Sequence, residues 1–326
     1  MDSPPVADRG VCSWAYLEFD TWCLVLGICN FSILAPINHS LNNQYPNLET
    51  RIYQKESQLK LGRMLKESFK DIKSSRFLAW QLAVRDIKAQ YRQSYFGILW
   101  AFVTPLATAL VWIVLNGTGT VRLSDTGIPY PLYVFTGTLL WSIITEAINS
   151  PMASTNAARG ILSKINFPKE ALILSGIYKL LFNTSIKIIL LLIFVFLYGV
   201  GLQWSLLFFP LAIIGGLLIG TTLGLFITPL GLLYKDVGKI IGFAMQFLMY
   251  ITPVVYAIPK DGIMKTIMEL NPLTPIILTG RDLAVGNSPE YLTYFLIVIA
   301  ACIPLFVIAL LLYRISIPVL VERLSG

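Results

Sequence analysis

From residue 98 onward the apolar residues fall into six long runs separated by short polar stretches: Ile98–Leu115, Leu132–Ile148, Ile173–Val200, Leu206–Leu233, Ile240–Ile258 and Tyr291–Tyr313. At about 1.5 Å of rise per residue, a helix of each length spans roughly the 30 Å of a bilayer's hydrocarbon. Lipid offers no partner to an unpaired backbone amide, so each run is expected to be helical along its whole length. Ahead of them, Phe77, Trp80, Val84, Ile87 and Tyr91 recur at steps of 3, 4, 3 and 4. That spacing predicts an amphipathic helix, and its basic flank suits a helix lying in the membrane interface. Leu61, Leu65, Phe69 and Ile72 repeat the pattern among Lys60, Arg63, Lys66, Lys70 and Lys73. They are read as an extension of the surface helix or a cytoplasmic lead-in.

The pattern therefore predicts an all-α integral membrane protein, with six transmembrane helices preceded by an amphipathic interfacial helix. Three segments are expected: an extension over residues 1–60, a lead-in and interfacial helix over 61–96, and a transmembrane domain over 97–326. In the extension, Thr21–Ile37 is apolar but short, holds Asn30 and ends at Pro36. It lacks the basic start and small-residue cleavage site of a signal peptide.

Composition narrows the class. Hydrophobic residues make up 56% of the chain and charged residues 13%, about half the charge of a soluble domain. The mean hydropathy is +0.69. No soluble portion remains to bind nucleic acid. Residues 51–92 carry a net charge of +7, equal to that of the whole chain. A basic block before the first crossing is expected to face the anionic cytoplasmic leaflet, which puts both termini in the cytoplasm. Under that topology Arg159, Lys164, Lys169, Lys235, Lys239, Arg314 and Arg323 fall inside, while Arg122, Lys260, Lys265 and Arg281 fall in outer loops.

Candidate chemistry is sparse. Cys12, Cys23, Cys29 and His39 match no metal-ligand spacing, and no CxxC pair exists, so neither a metal site nor a disulfide framework is expected. The nearest approach to a phosphate-binding loop, Gly231 to Gly238-Lys239-Ile240, has six intervening residues and no hydroxyl after the lysine. A P-loop needs four and a Ser or Thr. Energy would therefore come from a partner.

One stretch is more specific. Arg85-Asp-Ile-Lys-Ala-Gln-Tyr-Arg-Gln-Ser-Tyr-Phe-Gly-Ile-Leu-Trp100, with Pro105 beyond it, resembles the start of the ABC-2 permeases. Within them it is similar to the branch that exports O-antigen, capsule and teichoic acid. Pro129-Tyr-Pro-Leu-Tyr-Val-Phe-Thr-Gly137, Lys164-Ile-Asn-Phe-Pro-Lys-Glu170, Tyr234-Lys-Asp-Val237, Thr252-Pro-Val-Val-Tyr256 and Asn271-Pro-Leu-Thr274 follow in the same order. The resemblance covers about residues 76–326. Because such proteins begin shortly before the interfacial helix, either Met64 is the native start or the first 63 residues are a lineage-specific addition.

The resemblance implies the ABC-2, or type V exporter, fold. It implies a homodimer in a bacterial inner membrane, bound to two copies of a cytoplasmic ATPase subunit that holds ATP and Mg; the permease itself needs no cofactor. It maps ATPase coupling onto Arg159 and Lys164 and onto Tyr234, Lys235 and Asp236. The substrate would be a lipid-linked polysaccharide passing along aromatic faces, for which Trp100, Trp141, Tyr250 and Tyr256 are the candidates. Trp112 and Tyr130 fit an interfacial belt equally well. Arg85, Lys88 and Arg92 could attract the lipid pyrophosphate or simply anionic lipid. Gly216, Gly220 and Gly224 form two overlapping GxxxG patterns for close helix packing, within the bundle first and between protomers second. Glu146, Lys179 and Lys187 are ionisable groups that each need a partner, water or a route to the interface. Lys179 is placed to snorkel, while Lys187 either pairs with Glu146 or faces the channel. A drug or small-lipid exporter of the same fold is the alternative. A lipid-linked glycosyltransferase fits less well, since the loops are short and no DxD motif is present.

Overall fold

The computed structural model describes residues 61–92, 95–119, 127–162, 165, 167–201 and 203–325. The expectations for residues 1–60, and those for Arg122 and Lys164, lie outside the described residues. The rest is helical: α1 (Leu61–Ser74), α2 (Arg76–Arg92), α3 (Trp100–Gly117), α4 (Tyr130–Ala157), α5 (Arg159–Leu162), α6 (Glu170–Leu197), α7 (Phe209–Leu233), α8 (Val237–Ile251), α9 (Ile263–Leu270), α10 (Thr274–Val285) and α11 (Leu292–Ser325). Short 3-10 turns lead into α3 and α7. Five helical stretches are long and apolar enough to cross a membrane: Gly97–Gly117, Tyr130–Ala157, Glu170–Leu197, Trp204–Leu233 and Leu292–Leu320.

The central helix is α4, with 72% of its most apolar window buried, against 6% for α3. It is also the least apolar crossing, and its polar side chains turn back onto its own backbone. Thr136 Oγ1 donates to Leu132 O at 2.7 Å, Thr138 to Val134 O at 2.8 Å and Thr155 to Pro151 O at 2.7 Å. Satisfied in this way, they are tolerated at bundle depth.

The helix directions follow from paired contacts. Gly216, Gly220 and Gly224 of α7 lie successively against Ile144, Ala147 and Pro151 of α4, so α4 and α7 run parallel. Gly215 meets Phe295 and Ile299, and farther along Leu232 clusters with Leu310, Tyr313 and Ile317, so α11 is parallel to both. Between α7 and α11 the chain must therefore return, and α8 begins that return. The fifth apolar run departs from its expected form here. The helix stops at Ile251, about 22 Å long by its residue count, and residues 252–258 are irregular. The chain then forms α9 and α10, and α10 is buried between α4 and α7.

At the other end, α1 and α2 dock on the bundle. The face of α2 that packs is Ala79, Leu82 and Ala83, whereas Phe77 and Trp80 of the expected stripe stay 75% and 55% exposed. Trp80 meets Tyr178 edge-on at 5.8 Å. Arg314 of α11 fixes α1: its Nη1 reaches Glu170 at 2.6 Å, Asp71 at 2.9 Å and Ser68 at 2.9 Å. Glu170 is buried, so this arginine supplies its charge partner.

The α4–α7 seam yields a direct test. A methyl added at Gly220 would lie 2.5 Å from Ala147 Cβ and 2.8 Å from Ile144 O. Gly220→Ala is expected to cost about 1–3 kcal/mol by overpacking, seen as a lowered unfolding midpoint in detergent. Gly117→Ala, with nothing within 4 Å, should leave the midpoint unchanged.

Candidate functional site: a cavity beside the central helix

Where α2, α3, α4 and α6 meet, they enclose a cavity of about 360 Å³. Trp100, Thr104 and Thr108 come from α3, Trp141, Ser142 and Glu146 from α4, and Asn183 and Lys187 from α6. A second hollow of about 750 Å³ continues toward the α1–α2 end, past Asp86, Thr145, Asn149 and Lys179. Gln90, Glu146 and Asn183 line both, so the two form one trough.

Its polar groups arise from helix periodicity. Ser142, Thr145, Glu146 and Asn149 recur at three- and four-residue steps and share one side of α4. Lys187 lies across from them on α6, where its Nζ donates to Ser142 Oγ at 3.0 Å and to Glu146 Oε1. Of the two alternatives left open by the sequence, the pairing of Lys187 with Glu146 is present, and the pair lines this cavity. Lys179 faces the same trough. An ion pair held beside polar side chains satisfies both charges at a depth where an unpaired lysine is costly.

Of the four aromatic candidates, Trp100 and Trp141 come together in this cavity. Tyr250 is half exposed on α8, and Tyr256 packs at the edge of the main core among residues of the irregular segment. The basic candidates are spread over the surface of α2. Arg85 is held by its neighbour Asp86 at 2.8 Å, and Lys88 and Arg92 are exposed. The three glycines of α7 face α4, as the seam above shows.

The coupling candidates fall at one end of the bundle. Tyr234, Lys235 and Asp236 form an exposed turn between α7 and α8, with Asp236 and Lys239 loosely paired at 3.6 Å. Arg159 starts α5, half-buried just past the end of α4. Met152 of α4 packs against both flanks of the α7–α8 turn, since its thioether fills the space beside Gly231 and Gly238. Nearby, burial lowers the Lys169 ammonium from its ordinary value and the adjoining Glu170 partly restores it.

Three residues were not identified as site residues from sequence. Arg314 and Glu170 clamp α1, and Met152 packs α4 against the α7–α8 turn. Glu170 closes one of the quoted motifs, which was its only local signal. A fourth, Arg281, was expected in an outer loop but is fully buried in α10, over the ring of Tyr133 at 3.5 Å. Among the described residues no group of three His, Cys, Asp or Glu could hold a metal.

The arrangement can hold a ligand by ring faces and hydrogen bonds. Lys187→Met is expected to destabilise the protein by leaving Glu146 unpaired. Adding Glu146→Gln should recover part of the loss, with a coupling of about 0.5–3 kcal/mol in detergent unfolding. Additive losses would mean that the two side chains do not interact.

Comparison with known proteins agrees with this architecture. The family model of the ABC-2 type transporter matches residues 78–282. An O-antigen export system permease protein, RfbA, of Myxococcus xanthus is 25% identical over 205 residues, covering 62% of this chain and 78% of its own. A protein of the same name from Klebsiella pneumoniae is 26% identical over 241 residues, covering 71% and 90% respectively. A second from Klebsiella pneumoniae is 27% identical over 214 residues, covering 64% and 80%. With five helices among the described residues long and apolar enough to cross a membrane, and more than half of its length matched by the family model, this multi-pass membrane chain belongs to the ABC-2 type transporter family.

Proposed function

We propose that the chain is the permease of an ATP-driven exporter of lipid-linked polysaccharide of the O-antigen, capsule or teichoic acid type. The observation that carries this reading is the trough walled by Trp100 and Trp141 and lined with hydroxyl, amide and charged groups. Sugar rings offer apolar C–H faces and hydroxyl edges, and this trough supplies aromatic faces beside donors and acceptors. The three O-antigen permeases that resemble the chain support the same substrate class.

The permease acts as a homodimer in the bacterial inner membrane, with both termini in the cytoplasm. Exposed apolar side chains on α3 (Val103, Leu110, Val111, Val114) and on α8 (Ile240, Phe243, Phe247) provide surfaces that a second protomer and lipid can cover. Two ATPase subunits bind ATP and Mg and dock on the end that carries Tyr234, Lys235, Asp236 and Arg159. Lys164 belongs to that docking surface in the same reading. Met152 makes this end responsive as a unit, because a push on the α7–α8 turn reaches the end of α4 through one side chain. Arg85, Lys88 and Arg92 face the anionic leaflet and meet the pyrophosphate of the carrier lipid as it approaches the trough.

Deleting the chain from its host tests the reading. Loss of a surface polysaccharide, with its lipid-linked form accumulating inside, is the expected outcome in extracts probed for both. Unchanged surface polysaccharide in a strain without a paralogue would overturn it, and the small-lipid or drug exporter would take its place.

A further inference from the structure

A second cavity, of about 490 Å³, lies at the opposite end of the bundle from α1 and α2, and it shares no lining residue with the trough. Its walls come from the end of α10, the start of α4 and the segment before α11. Gly286 makes this geometry, since it sits at φ 96 and ends α10. The backbone N–H groups of Gly286 and Asn287 both donate to Asp282 O, at 2.9 and 3.0 Å. This left-handed cap reverses the chain and sets Asn287, Ser288 and Glu290 around the same space as Arg281 and Asp282.

The cavity is lined by an arginine that is only partly satisfied. Arg281 is fully buried, and its Nη2 donates to Pro253 O at 3.1 Å and Val254 O at 2.6 Å. Its Nε and Nη1 are buried with no protein partner. Buried donors without acceptors are costly, and more so when charged. The remaining lining defines which ligand suits the cavity. Asp282 and Glu290 are acceptors, Asn287 and Ser288 can do either, and Tyr291 contributes an aromatic ring, while the face of Tyr133 is taken by Arg281. Burial pushes the Asp282 carboxyl up to about 6 against the pull of Arg281, while the Glu290 charge raises it and a hydrogen bond from the Glu290 backbone N–H lowers it.

The mixture decides the class. Two carboxylates oppose an anion and a buried guanidinium opposes a cation. A neutral polyhydroxyl compound, whose every hydroxyl both donates and accepts, fits both sets at once and can lay a ring against a tyrosine. The volume is that of a small-ligand pocket. We propose that this cavity is a saccharide-binding subsite that holds one neutral sugar unit of the polymer as it leaves the trough. The identity of the sugar as part of an exported polymer rests on the function proposed above; the preference for a neutral saccharide rests on the cavity alone.

The test uses the full chain, purified in detergent with its ATPase partner, and two probes. One is the host's surface polysaccharide, released by mild acid and sized to short oligosaccharides. The other is a panel of neutral and uronic-acid-containing disaccharides. Binding is followed by saturation-transfer NMR. Arg281→Ala removes a buried strut and can fail to fold, so the variant is the exposed pair Asn287→Ala/Glu290→Ala, with its melting midpoint checked against the parent. Neutral sugars should bind the parent and lose about tenfold or more in affinity in the variant at an unchanged midpoint. Binding to neither set, equal binding by parent and variant, or preference for the acidic sugars would each overturn the proposal. Failure of the export reading is separately visible, because the disaccharide panel reports on the cavity whatever the deletion strain shows.

Discussion

The fold turns on one side chain that completes a broken piece of backbone. Where the fifth apolar run leaves the helix at Ile251, the carbonyls of the following residues lose their intrahelical partners inside a bundle that excludes water. Irregular backbone survives at that depth only when the protein satisfies it. Arg281 does so by donating to Pro253 O and Val254 O from the neighbouring α10. Tyr130 adds a long bond to Val255 O at 3.5 Å, and Asn271 Nδ2 reaches Thr252 Oγ1 at 2.8 Å. The approach is close because position 137 of α4 is glycine; a Cβ there would overlap Val254 O and Arg281 Nη2. Three of the motifs that carry the family resemblance, those ending at Gly137, Tyr256 and Thr274, thus meet at one point in space. The parallel course of α4, α7 and α11 requires a return crossing, and this junction is what lets a 15-residue helix serve as most of it.

The opposite end is fixed by a different arginine acting on carboxylates. Arg314 collects Glu170, Asp71 and, at 3.6 Å, Glu67, and so holds α1 against α6 and α11. Thr155 and Tyr313 share a hydroxyl–hydroxyl bond of 2.8 Å close by. Between the two anchored ends α4 is the common wall, touching α7 through small residues and lining the trough with its polar side. Along its length α4 borders the second cavity at Tyr133, the trough at Trp141 to Asn149, and the α7–α8 turn at Met152.

Much of this was legible in the chain. Sustained hydropathy located five crossings, since a run of twenty apolar residues has few other uses. The same signal misjudged the fifth run, because residues 240–258 are apolar throughout, and the helix end at Ile251 is set by contacts with α4 and α10 that lie far away in sequence. Pro253 was the one local hint. Arg281 was counted as a loop cation for a related reason: charge predicts exposure on average, and only the meeting of α10 with Tyr133 and Val254 reverses that. The stripe from Phe77 to Tyr91 marked a helix correctly but not its packed face, which is made of Ala79, Leu82 and Ala83; small residues allow close approach and carry little hydropathy signal. Trp100, Trp141 and Tyr250 are candidates because the resemblance implies a channel lined by the first, second and fifth spans, and the first two share a cavity. Tyr250 and Tyr256 follow the broken helix elsewhere.

The central claim is that polysaccharide passes along the tryptophan-walled trough, and in-cell photo-cross-linking measures that directly. A benzophenone amino acid would replace Trp100, and in a second strain Ile193, a half-exposed residue of α6 that does not line the trough. After irradiation, a ladder of polysaccharide adducts at position 100, and none at 193, is the predicted result. Lipid adducts alone at both positions, in cells whose surface polysaccharide is being exported normally, would contradict the account.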